Sequence, residues 1–212
     1  MDVVGICGSP REGGNTDLLL DEALRGAEES GARTVKLALR LLRIAPCNGR
    51  EEAAAGEPCA VRDGMQEVFA ALSGAGAVVL ASPIYFGSVS AQVKAMIDRF
   101  QCVWLAEHRR GIRLLPGERV CAFIACSAGD RRDFFENARQ VVRNWAATAH
   151  ARLCEELYCP GVEEKGSVAG RPGVLRAARA LGKRLAAEAQ AILPRIAADP
   201  RGWNPAAPDP RL

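Results

Sequence analysis

The stretch VVGICGSPREGGNTDLLLDEAL, Val3 to Leu24, constrains the fold more than any other part of the chain. It reads as a short apolar run, a loop rich in glycine and serine, and a helix. Val3 to Cys7 is apolar without alternation, the pattern of a strand covered on both faces of a parallel sheet. Leu20, Ala23, Leu24 and Ala27 fall at i, i+3, i+4 and i+7, one face of a helix. Between them, Gly8, Gly13 and Gly14 allow close backbone approach. Ser9, Asn15 and Thr16 supply short polar side chains, and Asn15 or Thr16 is placed to cap the helix. A loop that delivers a ligand to a helix N-terminus makes an anion site, because the first amides lack partners and the dipole is positive there. The spacing matches neither G-x-G-x-x-G nor G-x-x-x-x-G-K-[ST], so neither the dinucleotide fingerprint nor a P-loop is present. The remaining loop, with Arg11 as its cation, suits a single phosphate. An ordinary βα turn is the alternative reading of this stretch alone.

Strands and helices alternate beyond it. Gly31 ends the first helix, and Thr34 to Leu39 is a second strand. An irregular segment from Ile44 to Asp63 carries Cys47 and Cys59, and Asp63 is placed to cap a helix through Met65, Val68, Phe69 and Leu72. Ala77 to Ala81 is a third buried strand, ending at SPIYFGSVS. The following helix carries Val89, Val93, Met96, Ile97 and Phe100 on one face. Leu105 to Glu118 reads as a basic, solvated loop. A fourth strand, Arg119 to Cys126, leads through SAGD to a helix with Phe134, Ala138, Val141, Val142 and Trp145 in register. Leu153 to Tyr158 is a fifth strand, Pro160 to Gly173 a loop, and Pro172 to about Ile192 a last helix. This alternation predicts an α/β fold with a parallel sheet covered on both faces. One domain over residues 1–195 is expected, with residues 196–212 as a proline-rich tail.

Composition narrows the function. A net charge of +3 with both signs interspersed does not indicate a nucleic-acid or anionic-membrane surface. No apolar run approaches the roughly 20 residues that span a bilayer. Eight cysteines are many, but Cys7, Cys121 and Cys126 lie in apolar runs, where cysteine behaves as a small hydrophobe. That distribution is unlike a secreted disulfide framework, and a reducing cytoplasm is expected.

Three loops follow the first, third and fourth strands: Gly8–Thr16, Ser82–Ser88 and Ser127–Asp130. Ligands of open parallel sheets bind beyond the carboxyl ends of the strands, and a strand order of 2-1-3-4-5 brings these loops side by side. Pro83, Ile84, Tyr85 and Phe86 are apolar where a loop is normally polar. A flat apolar surface beside a phosphate site suits a planar aromatic ligand that carries a phosphate; a hydrophobic plug or a subunit contact is the alternative.

GSPREGGNT together with ASPIYFGSVSAQVKAMIDRF resembles the NADPH-dependent FMN reductase and iron–sulfur flavoprotein family, from residue 3 to about 190. The resemblance implies a flavodoxin-like three-layer α/β/α sandwich, a five-stranded parallel sheet in order 2-1-3-4-5, and bound FMN. It puts the FMN phosphate on Ser9, Arg11, Gly14, Asn15 and Thr16. It puts the isoalloxazine ring against Pro83, Ile84, Tyr85, Phe86 and Gly87, with Ser127, Ala128 and Gly129 closing the other side. The implied activity is an oxidoreductase that takes electrons from NAD(P)H through FMN to a small acceptor such as a flavin or quinone. A homodimer or homotetramer is also implied. An FMN-containing electron carrier between proteins is the alternative, although carriers of this fold are usually strongly acidic. A flavin-binding module without catalysis is a further one.

The cysteines depart from the family pattern. Iron–sulfur members resemble C-x-x-C-x-x-C with a fourth cysteine about six residues on, and a [4Fe–4S] cluster ordinarily takes four thiolates. Here Cys47 and Cys59 match the first and last ligands, while the middle positions are Arg50 and Ala53. The two cysteines are therefore expected to be remnants of a cluster motif, with a Cys47–Cys59 disulfide as the alternative, and no metal is expected.

Overall fold

A computed structural model of the chain describes residues 2–49 and 59–197. Arg50, Ala53 and the proline-rich segment from residue 198 onward lie outside the described residues. The elements in order are β1 (Val3–Cys7), α1 (Asn15–Glu29), β2 (Thr34–Ala38), α2 (Met65–Ser73), β3 (Ala77–Tyr85), β4 (Ser88–Val89) and α3 (Ala91–Asp98). They continue with α4 (Gln101–Arg110), β5 (Arg119–Cys126), α5 (Glu136–Thr148), β6 (Ala151–Cys159) and α6 (Pro172–Ala197).

The main sheet is parallel, in order β2-β1-β3-β5-β6, with β4 paired antiparallel to the end of β3. Setting aside the two-residue β4, this is the 2-1-3-4-5 order of the flavodoxin-like fold. Val4, Ile6, Val78, Leu80, Cys121 and Phe123 face one apolar core with α2, α3, α4 and α5. Val3, Cys7, Val79, Val120 and Ile124 face the other, under α1 and α6. Covering on both faces is why β1, β3 and β5 are continuous apolar runs.

Three expectations are corrected. The third strand does not stop at Ala81, because β3 runs on to Tyr85 and turns back as a hairpin. Val89 accordingly lies in β4, and the next helix starts at Ala91, capped by the Ser90 side chain. The expected single helix through Phe100 is two, broken at Arg99 and Phe100. The basic loop from Leu105 is helical as far as Arg110 and ends at Gly111 in the left-handed conformation, φ 65°. Its charges occupy the solvent side while Val103 and Ala106 are buried, so a charge run conceals a helix whose apolar face is narrow.

Helices α1 and α6 approach each other at backbone distance. A Cβ on Gly26 would lie 2.0 Å from the Arg179 carbonyl oxygen, and one on Gly182 would lie 1.8 Å from that of Ala23. Ion pairs flank the contact, from Arg179 Nε to Glu22 at 2.8 Å and from Lys183 to Glu29 at 2.8 Å. Gly182→Ala is expected to push the helices apart and cost about 1–3 kcal/mol, read as a lower denaturation midpoint. Gly74→Ala, with open space at its Cβ, is expected to change stability by less than about 0.5 kcal/mol.

Candidate functional site

The loop between β1 and α1 is held by its own backbone. Gly8 N–H donates to the Ala81 carbonyl at 2.7 Å, which ties the loop's start to β3. The Ser9 hydroxyl donates to the Arg11 carbonyl at 3.0 Å and accepts from the Arg11 N–H at 3.1 Å. Gly13 adopts φ 63°, which glycine reaches without strain. The N-cap of α1 is Gly14, and no side chain caps the helix. This corrects the expectation for Asn15 and Thr16. Asn15 instead reaches across to the loop after β6, donating to the Glu164 carbonyl at 2.9 Å and accepting from Val168 N–H at 3.0 Å. The first turn of α1 is thereby left without a side-chain acceptor, the arrangement that favours an external anion.

Asp17 secures this loop from below and was not legible in the sequence. Its carboxylate is buried and accepts from Gly13 N–H at 2.8 Å and from the Cys7 thiol at 3.0 Å, with Lys36 Nζ 2.7 Å away. Burial opposes its charge, but the hydrogen bonds and Lys36 prevail and hold Asp17 below the usual carboxylate range. Burial and the same carboxylate push the Cys7 thiol up to about 12, so Cys7 is an inert donor.

The second loop is a two-residue hairpin. Tyr85 pairs with Ser88 across Phe86 and Gly87, which both have positive φ, at 51° and 73°. That is the type I′ turn, favoured in hairpins because its twist matches the strands. Phe86 bears the strain of a left-handed bulky residue and is fully exposed. Asn137 of α5 donates to the Gly87 carbonyl at 3.1 Å and steadies the turn. Two buried serines join this loop to the first. Ser90 N–H donates to Ser82 Oγ at 2.9 Å, and Ser90 Oγ donates to the Gly8 carbonyl at 2.7 Å while accepting from Val93 N–H at 3.3 Å.

A cavity of about 200 Å³ lies between the loops. Ser9, Arg11, Gly14, Asn15, Thr16, Pro83, Ile84, Tyr85 and Ala128 line it. Phe86 and Gly87, at the hairpin tip, and Ser127 and Gly129 are not part of its lining. Ser127 is buried, and its hydroxyl donates to the Gly129 carbonyl at 2.7 Å, shaping the third loop. The lining also includes Cys126, Val162, Glu163 and Lys165, which sequence reading did not assign. Their signal was positional: residues 160–166 follow β6 and so emerge at the same sheet edge.

A separate cavity of about 250 Å³ lies beside α4 and is lined by Cys47, Cys59, Arg99 and Cys102, among others. All eight cysteines are free thiols in this structure, Cys47 exposed and Cys59 buried. A four-thiolate cluster does not fit this donor set, because positions 50 and 53 offer arginine and alanine. Among the described residues, no three or more metal-ligating side chains converge.

The family model described as NADPH-dependent FMN reductase matches residues 1–155. The chain belongs to that family. An iron–sulfur flavoprotein of Methanocaldococcus jannaschii is 40% identical over 99 residues, which are 47% of this chain and 51% of that protein. A second from the same organism is 30% identical over 146 residues, 68% of this chain and 70% of the relative. An iron–sulfur flavoprotein of Archaeoglobus fulgidus is 38% identical over 106 residues, 50% and 54% of the two chains. The matches thus span about half the length of most of these relatives. Among solved structures, a flavone reductase superposes with TM-score 0.69 at 20% identity, over 90% of this chain and 63% of the other. An NAD(P)H:quinone oxidoreductase from Methanothermobacter marburgensis superposes with TM-score 0.62 at 16% identity, over 87% and 98%. At such identities these structures show the shared flavodoxin-like fold.

Asp17→Ala is expected to cost about 1–3 kcal/mol at neutral pH, because Gly13 N–H and the Cys7 thiol lose their buried acceptor while Lys36 keeps Asp21. The carboxylate's contribution exists above the unfolded value of 3.8 and disappears as the pH falls through the lower folded value. The stability gap between variant and wild type is therefore expected to close in acid, as measured by chemical denaturation across pH.

Proposed function

We propose that the chain is an FMN-dependent NAD(P)H oxidoreductase that reduces a small acceptor such as a free flavin or a quinone. The observation that carries this reading is the cavity where an uncapped helix N-terminus meets an apolar hairpin. Arg11 and Lys165 supply cations there, against the single carboxylate of Glu163. That donor set fits a phosphate monoester, whose charge is met by helix amides and two side chains. In this reading Ser9, Arg11, Gly14, Thr16 and Lys165 hold the phosphate. Asn15 acts by fastening the loop that carries Lys165 to α1. Pro83, Ile84 and Tyr85, with the hairpin tip at Phe86 and Gly87, cover the ring and exclude water from one face. The loop of Ser127, Ala128 and Gly129 bounds the other side with its backbone.

FMN, when bound, supplies the chemistry: it accepts a hydride from a nicotinamide and passes the electrons on. The chain's own task is orientation and electrostatics, which explains a site without a paired acid and base. Fixed loop amides and the positive end of α1 favour negative charge without reorganisation. The exposed rings of Tyr85, Phe86 and Phe134 support assembly into a homodimer or homotetramer.

The test is anaerobic addition of NADPH and of NADH to the FMN-loaded protein. Prompt bleaching of the flavin band by either is expected, followed by recovery on adding a quinone or free flavin; no bleaching by either overturns the reductase reading. Arg11→Ala is expected to weaken FMN binding about 10-fold or more, the equivalent of one charge-assisted hydrogen bond, by fluorescence titration.

A further inference from the structure

The cavity beside α4 gathers sulfur chemistry that the flavin site does not use. Cys59 sits just before α2 and Cys102 lies in the first turn of α4, so the fold, not the sequence, brings them together. The cation between them is immobile. Arg99 is buried, and its guanidinium donates to Asp63 at 2.7 Å, to the Ala45 carbonyl at 3.0 Å and to the Val61 carbonyl at 2.7 Å. Its Nε donates to Cys59 Sγ at 3.3 Å. A guanidinium so anchored cannot turn away, and it holds the sulfur in a field that favours thiolate. Cys102 donates its thiol to the Arg99 carbonyl at 2.9 Å and lines the same cavity as Cys59.

We propose that Cys59 and Cys102 are a redox dithiol, in which Cys59 attacks a hydroperoxide admitted through this cavity and Cys102 closes the disulfide. The Cys59 sulfur bonds to one peroxide oxygen as the O–O bond breaks. The leaving alcohol or water takes the proton that the thiol gave up, and Cys59 becomes a sulfenic acid. The Cys102 sulfur then displaces the sulfenic hydroxyl, which departs as water with the Cys102 proton. The two thiols lose two electrons in all, and the peroxide gains them.

The contrast with Cys7 and Cys121 supports the assignment of roles. Cys7 and Cys121 are buried among strands beside carboxylates or apolar groups, and burial pushes both thiols up. At Cys59, the contacts from Cys102 and Arg99 outweigh burial and bring the thiol down. Cys102 is pushed up by the neighbouring Cys59 and by burial, as befits the thiol that reacts second. The cavity reaches from exposed Cys47 to Cys59, with Trp104 and Arg109 on its wall, so a small oxidant has a route to the sulfur.

The test is to add one equivalent of hydrogen peroxide to the full-length reduced protein, followed by differential alkylation and peptide mapping. Joined Cys59 and Cys102 peptides, separable by dithiothreitol, are expected from wild type. In Cys102→Ser, dimedone is expected to tag Cys59 as the trapped sulfenic acid. Cys59→Ser is expected to abolish both products and to slow peroxide consumption about 10-fold or more. Bleaching of bound FMN by NADPH in Cys102→Ser is expected to match wild type, which separates this site from the flavin site. Linkage of another pair instead, or labelling of Cys59 by iodoacetamide at about pH 6 no faster than that of exposed Cys47, overturns the proposal.

Discussion

The hydrogen bond from Ser90 Oγ to the Gly8 carbonyl is the joint on which the candidate site depends. One hydroxyl does two jobs. It caps α3 by accepting from Val93 N–H, and it clamps the phosphate-type loop to the hairpin loop from the next strand. The fit at that joint is tight: a Cβ on Gly8 would lie 2.1 Å from Val93 Cγ2. The loop therefore has no freedom to drift from the end of β3, and the two halves of the cavity keep a fixed spacing. A buried joint of this kind is costly to break, because a donor or acceptor left unpaired away from water loses its full desolvation energy.

Two buried ionic clusters extend the same logic to either side of the sheet. Asp17 with Lys36 sits under the first loop and anchors Gly13 by a charged acceptor. Arg99 with Asp63 sits at the junction of α3 and α4 and organises the irregular segment leading to α2. Asp63 also accepts from Met65 N–H, while Gln66 accepts from Asp63 N–H, a reciprocal cap that starts α2. In both clusters, charge is retained in the interior because an opposite charge and several hydrogen bonds meet it, the condition under which a buried ion pair is tolerated. The two differ in what they do to sulfur. A carboxylate beside Cys7 silences it, and a guanidinium beside Cys59 activates it.

Much of the fold was legible in the chain. The apolar runs of β1, β3 and β5 announce strands buried on both faces, and the alternation with helices implies a parallel sheet. The phosphate-type loop was legible because Gly8, Ser9, Gly13 and Gly14 lie within seven consecutive residues. Less was legible where structure arises from pairing at a distance. The turn at Phe86 and Gly87 looked like loop because its strand partner is only two residues long. Helix α4 was hidden because three of its last residues, His108, Arg109 and Arg110, carry the signature of solvated surface. The loop with Val162, Glu163 and Lys165 carries no motif of its own; only the parallel register of β5 and β6 brings it to the cavity.

By itself, then, the sequence determined the class of fold and the location of the anion loop, because both rest on local periodicity and on residues close in the chain. It also determined that positions 50 and 53 provide no thiolate, since arginine and alanine have no such group. Tertiary structure alone decided that Asn15 fastens a distant loop instead of capping its own helix, since that choice depends on which backbone groups lie nearby once β6 is in place. It alone decided that Asp17 supports Gly13. It alone set Arg99 and Cys102 against Cys59, 40 residues or more away along the chain. A side chain's chemistry is set by the charge and solvent around it, and for buried groups that environment is assembled only when the elements pack.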